Sequence, residues 1–140
     1  MKLDLITLSG NKFSEEVYEV QLPTANGPIA VFPGHQPLIT LMQTGVISVR
    51  RKRGDSDSQL EIFAATGGVA EITAERVKLL IDEAEHSDDI TEAQATEALK
   101  RAEELKARAK DSLELEKAQQ LIDRHAVRIK VAGLRRRHMR

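Results

Sequence analysis

Residues 85–95, EHSDDITEAQA, mark the point at which the sequence pattern of this chain changes. Before this run, short alternating apolar segments are separated by Gly and Pro, whereas alanine-rich sequence follows it. All four prolines and seven of the eight glycines precede residue 90. Because both residues interrupt helices, their absence from residues 90–132 permits long helices. We therefore expect a β domain over residues 1–87 and a helical appendage over residues 88–140, with the polar residues 85–89 as a hinge.

The first part of the chain contains eight short apolar segments of the kind that form antiparallel strands. They occupy residues 3–8, 17–22, 29–32, 38–42, 46–50, 60–64, 69–72 and 77–81. Short strands at close, regular spacing are typical of a sandwich or a flattened barrel, in which every apolar face is covered. The segments predict a β-sandwich whose core contains the four aromatic residues, Phe13, Tyr18, Phe32 and Phe63.

The second part of the chain shows the spacing of two amphipathic helices. Thr91 and Gln94 fit a capping box, in which each side chain bonds the backbone N–H of the other residue, so the first helix is expected to begin there. Its apolar stripe comprises Ala95, Leu99, Ala102, Leu105 and Ala109. After a polar turn at residues 110–112, a second stripe comprises Leu115, Ala118, Ile122, Ala126, Ile129 and Ala132, and Gly133 is placed to end the helix. The pattern predicts an antiparallel two-helix hairpin.

The apolar stripes of the hairpin are rich in alanine, which limits how strongly they can pack. Burying a Leu side chain contributes about 1.5 to 3 kcal/mol, whereas a single methyl group contributes about 0.8 kcal/mol. Each helix nevertheless keeps a high intrinsic propensity when it is undocked. Two arrangements are compatible with this balance: stiff helices that leave the sandwich reversibly, or a permanently folded hairpin.

Charge is distributed unevenly along the chain. Residues 1–89 hold 8 basic and 14 acidic residues, for a net charge of −6, whereas residues 90–140 hold 13 basic and 8 acidic residues, for +5. Residues 117–140 alone hold eight basic residues and one acid, Asp123. One interpretation of this basic end is a free adaptor whose second helix binds nucleic acid or an acidic partner. The basic run at residues 50–53 flanks a hairpin tip and is better explained as a solvated turn, since single-strand binding surfaces usually add stacking aromatics.

The sequence contains no arrangement of residues that predicts catalysis or metal binding. Cys is absent, and the four His residues have no ligand spacing such as HxxxH. GxSxG, HExxH, Walker and GxGxxG motifs are all missing. We expect no enzyme activity, no catalytic residue and no cofactor, and neither a signal peptide nor a membrane span is predicted.

Several motifs along the chain match a known family. They are GPIAVFPGHQPL at residues 27–38, TGVI at 44–47, GGVAEI at 67–72 and VKLL at 77–80. Together with the helical hairpin, these motifs span essentially the whole chain. In their order and spacing the chain resembles the epsilon subunit of bacterial and chloroplast F-type ATP synthase.

The resemblance implies a ten-stranded β-sandwich followed by the hairpin. In that family one face of the sandwich binds the γ subunit of the rotor, and the lower end rests on the membrane c-ring. The loop around Gly27, Pro28 and His35 is therefore expected to face the c-ring. The resemblance also implies a non-catalytic central-stalk subunit, located at the cytoplasmic face of the bacterial plasma membrane, that couples γ to the c-ring during proton-driven ATP synthesis.

The helices of the family also open along γ into the α/β ring and inhibit ATP hydrolysis, and there the basic second helix meets acidic segments of the β subunit. The residues of this chain suited to that contact are Arg124, Arg128, Lys130, Arg135, Arg136 and Arg137. The alternative interpretation is that these residues only solvate the end of a helix.

The chain departs from the family pattern in two places. Many bacterial members bind ATP through Ile or Leu followed by Asp-x-x-Arg-Ala, and the aligned residues here are Ile90, Thr91, Gln94 and Ala95. The charged partner for phosphate is missing, so we expect weak or absent ATP binding. Pro28 stands where some members carry an acid, so contact with the c-ring at this position is expected to be apolar or through backbone carbonyls.

Overall fold

The computed structural model describes residues 1–138 of the chain. Its ten strands are β1 (Lys2–Thr7), β2 (Gly10–Glu16), β3 (Glu19–Thr24), β4 (Gly27–Val31), β5 (Leu38–Met42), β6 (Gly45–Arg50), β7 (Glu61–Ala65), β8 (Gly68–Ile72), β9 (Arg76–Ile81) and β10 (Ala84–His86). Single-turn 3₁₀ helices lie at Asp57–Gln59 and Ser87–Asp89, and two α-helices follow, α1 (Glu92–Ala107) and α2 (Ser112–His138). The predicted fold class, a ten-stranded β-sandwich followed by a two-helix hairpin, is confirmed. The last two residues of the predicted helical unit, 139 and 140, lie outside the described residues.

The strands form one sheet that folds over on itself around a single core. Their order is β10-β7-β6-β3-β5-β8-β9-β1-β2, with β4 paired to β3. Only β1 and β9 run parallel among the pairs within the described chain. The main core cluster buries Leu3, Leu5, Leu22, Ile47 and Leu79 completely and includes no residue of α1 or α2. The sandwich therefore has a hydrophobic core of its own.

Two strands are absent from the eight segments identified in the sequence. β2, with the sequence GNKFSEE, is exposed along most of its length, so it shows no apolar alternation. Tertiary contacts hold it: the Ser14 hydroxyl donates to Asp4 at 2.6 Å, and the ring of Phe13 packs against that of Phe63 with centroids 5.9 Å apart. β10 overlaps the start of the polar run predicted as a hinge, and there His86 pairs with Phe63 of β7. The hinge residues thus form a short strand and a 3₁₀ turn in this state.

The expected burial of all four aromatic side chains is wrong for one of them. Phe63 is 3% exposed, and Phe13 and Tyr18 are partly buried, but Phe32 is 40% exposed. Phe32 follows the last residue of β4, so it lies in a loop, where its ring packs edge-on against Tyr18 with centroids 5.5 Å apart. The alternation of apolar residues placed Phe32 in the predicted strand 29–32, but β4 ends one residue earlier, at Val31.

The hairpin forms as predicted but differs at its helix ends and in part of its packing. Thr91 is the N-cap residue of α1, yet no side chain caps this helix, so the capping box with Gln94 is wrong. Both side chains are exposed, so water can replace the expected bonds. Gly133 does not end α2, which continues through it, because one internal Gly costs a helix only about 1 kcal/mol. Ala126 is exposed, whereas Val131, outside the predicted stripe, is fully buried.

Candidate functional site

The hairpin lies against β6 and β7 of the sandwich through a small apolar cluster. We call this the docking cluster, and its buried members are Ile62, Ala64, Ile90, Ala95, Val131 and Ala132. Half of these buried side chains are alanines, and the larger side chains packed against them, Val46, Leu60, Val127, Ile129 and Leu134, are only partly buried, so the cluster adds less free energy than a closed core of Leu or Phe. The docked state is therefore sensitive to the charges that surround the cluster.

Arginines in the middle of α2 bind carboxylates of the sandwich. Arg124 pairs with Glu83, which lies between β9 and β10, and its guanidinium is 3.8 Å from Glu85. The Nε of Arg128 donates to Glu85 at 3.2 Å, and the Arg128 side chain is only 16% exposed. A cavity of about 10 Å³, lined by these four side chains and the adjoining parts of β7 and β10, is large enough for one water molecule. These contacts join α2 to the segment directly before the 3₁₀ turn.

Two further arginines, in the C-terminal part of α2, bind the 3₁₀ turn after β10 and the start of α1. Arg135 donates to the carbonyl oxygen of Ser87 at 2.9 Å and lies 4.0 Å from the carboxylate of Asp88. Arg136 pairs with Glu92, at the start of α1, at 2.9 Å. The contact of Arg135 holds the turn that links the sandwich to the helices, and the contact of Arg136 joins α2 to α1. We call the four docked residues, Arg124, Arg128, Arg135 and Arg136, the arginine face.

The six basic residues predicted for an inhibitory contact thus fall into two groups. The four of the arginine face bind other parts of the same chain, whereas Lys130 and Arg137 are exposed and form no ion pair within residues 1–138. The pairs of Arg124, Arg135 and Arg136 are partly open to solvent, and exposed ion pairs contribute about 0 to 1 kcal/mol each and are screened by salt, whereas the pair of Arg128 is more buried. The arginine face therefore adds a modest and reversible contribution to docking.

His125 lies inside the arginine face, next to Arg124. Its Nδ1 accepts a hydrogen bond from the Arg128 guanidinium at 3.1 Å, which requires this nitrogen to be unprotonated. Burial and the charges of Arg128 and Arg124 lower the pKa of His125 below the ordinary value of 6.5. Glu85 opposes this shift, and Arg101 of α1 reinforces it. Protonation of His125 would place another positive charge beside the two arginines of the docked state.

We expect docking of the hairpin to weaken as the pH falls below 6.5. Burial in the docked state is the largest cause of the lowered pKa of His125, whereas Arg124 and Arg128 lie on the same helix and stay near it after undocking. The contribution of this burial is complete above pH 6.5 and is lost as the pH falls through the lowered value. The chain has no Cys, so spin labels on Lys12→Cys in the sandwich and Glu116→Cys in α2, both at exposed positions, can report the distance between them. His125→Gln, whose amide oxygen can still accept from Arg128, should remove the pH dependence. If docking in this variant depends on pH in the same way as in the unmodified chain, His125 is not the group responsible.

The structure separates the three residues expected to face the c-ring. Gly27, with φ of +107°, and Pro28 begin β4 at one end of the sandwich. His35 follows the other end of β4, where the N–H of Gly34 donates to the carbonyl oxygen of Ala74 at 2.8 Å. A five-residue strand spans on the order of 13 Å, so the two loops lie at opposite ends of the sandwich. The expectation that these residues share one loop is wrong, because β4, which includes most of the strand segment predicted at residues 29–32, lies between them.

An apolar stripe crosses the outer face of β5, β8 and β9. Ile39 and Leu41 of β5 are 73% and 71% exposed. Leu41 pairs with Val69 of β8, and Val69 pairs with Leu80 of β9, so these side chains lie in a row across the sheet. We call Ile39, Leu41, Val69 and Leu80 the apolar stripe. Contiguous exposed apolar residues mark interaction surfaces.

The sequence carried a signal for the apolar stripe that the strand pattern did not single out. In LITLM, at residues 38–42, apolar side chains occupy both faces of one strand, although only one face of a sandwich strand is covered by its own core. A groove of about 930 Å³ runs from the stripe at Leu41 and Val69 to Lys117 and Leu121 of α2. A partner bound on the stripe would therefore also lie close to the docked helix.

The four residues aligned with the ATP motif lie at the start of α1. Ile90 and Ala95 are buried in the docking cluster, whereas Thr91 and Gln94 are exposed. Arg136, which reaches this end of α1, is already paired with Glu92. Ile90 and Ala95 therefore support docking, whereas Thr91 and Gln94 supply no positive charge for a phosphate.

Two of the four basic residues in the run 50–53 are paired with carboxylates of the sandwich itself. Arg50 lies 2.9 Å from Glu19 and 2.8 Å from Asp57. Arg51 pairs with Glu61 at 3.2 Å. These contacts support the interpretation of a solvated hairpin tip over that of a nucleic-acid surface.

Known proteins with the same sequence pattern identify the family. The family model for the ATP synthase, Delta/Epsilon chain, beta-sandwich domain matches residues 1–87. The ATP synthase epsilon chain of Dehalococcoides mccartyi is 37% identical over 139 residues, which cover 99% of this chain and 96% of the relative. This chain belongs to the ATP synthase epsilon family. ATP synthase epsilon chain 2 of Syntrophotalea carbinolica is likewise 37% identical, over 134 residues, covering 95% of this epsilon chain and 94% of the relative.

Two solved structures share the fold of this epsilon chain. A chain of the Euglena gracilis mitochondrial ATP synthase, in a structure of OSCP, F1 and c-ring, superposes with a TM-score of 0.77 at 19% identity, covering 94% of this chain and 79% of that chain. A chain from the central stalk and c-ring of the Tetrahymena thermophila mitochondrial ATP synthase gives a TM-score of 0.62 at 11% identity, covering 94% and 96%. Within residues 1–138, this epsilon chain has no helix with the length and apolar character needed to span a membrane.

Proposed function

We propose that this epsilon chain is a non-catalytic rotor subunit of the central stalk, which couples γ to the c-ring through its sandwich and inhibits ATP hydrolysis through its hairpin. The observation that carries the proposal is the form of docking, in which two helices are held to a sandwich with a core of its own by a separate, smaller apolar cluster and by arginine pairs. Since the main core contains no helical residue, the sandwich can stay in place while the hairpin moves. Hydrolysis by complexes with and without the hairpin tests the inhibitory part.

The apolar stripe is the surface proposed to bind γ. Ile39 and Leu41 project from the middle of β5, and the neighbouring strands keep them in a fixed row with Val69. A rigid apolar row on a sheet loses little conformational entropy when it is covered. This surface is therefore suited to a permanent contact, which a rotor subunit requires.

The end of the sandwich that carries Gly27 and Pro28 is the part proposed to rest on the c-ring. Pro28 and Ala30 are exposed there and carry no charge, which favours apolar or backbone contacts. His35 belongs to the opposite end and takes no part in this contact. The epsilon chain would then lie at the cytoplasmic face of the plasma membrane as a peripheral part of the complex.

The arginine face is the surface proposed to act in inhibition. After the hairpin leaves the sandwich, Arg124 and Arg128 are released from Glu83 and Glu85, and separation of α2 from α1 and the preceding turn releases Arg135 and Arg136. The opened α2 would then present these arginines together with Lys130 and Arg137. A helix with this charge is complementary to an acidic segment of the β subunit. Binding of α2 inside the α/β ring would block rotation and with it hydrolysis.

We expect the isolated epsilon chain to bind ATP weakly or not at all. Thr91 and Gln94 offer no charge to a phosphate, and the Thr91→Asp, Gln94→Arg variant should bind ATP at least tenfold more tightly, because charge-assisted hydrogen bonds contribute roughly 1.5 to 3 kcal/mol. Isothermal titration calorimetry would measure both chains, with Thr91→Asp alone as the control that lacks the cation. Tight, saturable binding to the unmodified chain would refute the expectation.

A further inference from the structure

We propose that Glu83 and Glu85 act as an intramolecular competitor: they occupy Arg124 and Arg128 in the docked state, so that an acidic segment of a partner can bind these arginines only after the hairpin has left. The inference rests on the proposed function, because it concerns the regulation of the surface assigned there to inhibition. It identifies Glu83 and Glu85 as the groups within this chain that keep Arg124 and Arg128 from binding a partner.

The spacing of the two carboxylates matches that of the two guanidinium groups. Arg124 and Arg128 are four residues apart on α2, so they lie on one helix face about 6 Å apart along the axis. Glu83 and Glu85 are two residues apart in the segment that enters β10, and alternate residues of an extended chain point the same way at a separation of roughly 6.6 Å. An extended acidic segment of another protein could make the same contacts. The sandwich therefore presents to α2 the kind of surface that the partner would present.

The two modes of binding exclude one another at Arg128. Its guanidinium already donates to Glu85 and to His125, and its side chain is 16% exposed in the docked state. Little of this group remains accessible to a second carboxylate. The apparent affinity of a partner is then lowered by the small fraction of chains in which the hairpin is undocked. Weakening the internal pairs should raise that fraction and the apparent affinity together.

The first measurement uses the full chain alone, with spin labels on Lys12→Cys and Glu116→Cys. Glu83→Gln with Glu85→Gln keeps the size of both side chains but removes their charge, and should raise the ratio of undocked to docked chains roughly tenfold. The matched control is Glu71→Gln with Glu75→Gln, which removes the same charge from exposed positions that make no contact with α2. Equal distance distributions in the two variants would overturn the proposal.

The second measurement adds a short oligoglutamate peptide as the acidic probe. The Glu83→Gln, Glu85→Gln chain should bind it roughly tenfold more tightly than the unmodified chain, and Arg124→Gln with Arg128→Gln should abolish the gain. If the Glu83→Gln, Glu85→Gln chain undocks but does not bind the peptide more tightly, the proposed competition is refuted. If both measurements come out as expected while the assembled complex hydrolyses ATP equally with and without the hairpin, the inhibitory function fails and the competition stands.

Discussion

A complex assembled with residues 1–89 in place of the full epsilon chain should hydrolyse ATP several-fold faster, and it should still assemble. Assembly is expected to survive because the core of the sandwich contains no residue of α1 or α2. Hydrolysis should rise because the truncated chain lacks the whole arginine face, which is the surface proposed to enter the α/β ring. The measurement is the ATPase rate of the purified complex at equal subunit content.

A disulfide that keeps the hairpin docked gives the control for this truncation. The chain has no native Cys, so Ala64→Cys in β7 with Ala132→Cys in α2, both within the docking cluster, introduces the only thiols of this chain. Under oxidising conditions this complex should match the truncated one, and reduction should return it to the rate of the unmodified complex. An unchanged rate on truncation would remove the inhibitory role and leave the rotor role in place.

The sequence predicted those parts of the fold that depend on local pattern. The eight alternating segments became strands, and the alanine-rich region became two helices joined near residues 108–111. β2 was missed because its sequence is polar, and it is held by contacts such as that of Ser14 with Asp4, ten residues earlier in the chain. β10 was missed because it has three residues and pairs with a strand about twenty residues away. Both strands depend on pairing that local periodicity does not encode.

The candidate site was predictable in composition but not in arrangement. The basic character of α2 followed from counting charges, yet the partners of Arg124 and Arg128 lie some forty residues earlier in the chain. The separation of Gly27 from His35, by contrast, follows from the apolar segment predicted at residues 29–32, because β4 carries the chain from one end of the sandwich to the other. Sequence motifs group residues along the chain, whereas a strand places its two ends far apart in space.

The second large effect is expected at the apolar stripe. Ile39→Glu with Leu41→Glu should lower the affinity of the epsilon chain for an isolated γ subunit by at least 100-fold. Each lost apolar side chain removes about 1.5 to 3 kcal/mol when it is covered by a partner, and every 1.4 kcal/mol is a factor of ten in affinity. Asn11→Glu with Ala74→Glu adds the same charge at two exposed positions outside the stripe and should bind γ normally. Surface plasmon resonance with immobilised γ would measure all three chains.

This substitution separates binding from folding because the altered side chains point away from the core. Ile39 and Leu41 alternate with Thr40 and the buried Met42, so two outward glutamates leave the inward face of β5 unchanged, and the circular dichroism spectrum and thermal unfolding should stay close to those of the unmodified chain. A folded variant that still binds γ with unchanged affinity would show that γ uses another surface. In the proposed function a rotor subunit stays attached while its helices dock and undock, so we expect the permanent contact on the rigid sheet. The stripe is suited to that contact because its strands are separate from β7, the main strand on which the hairpin docks.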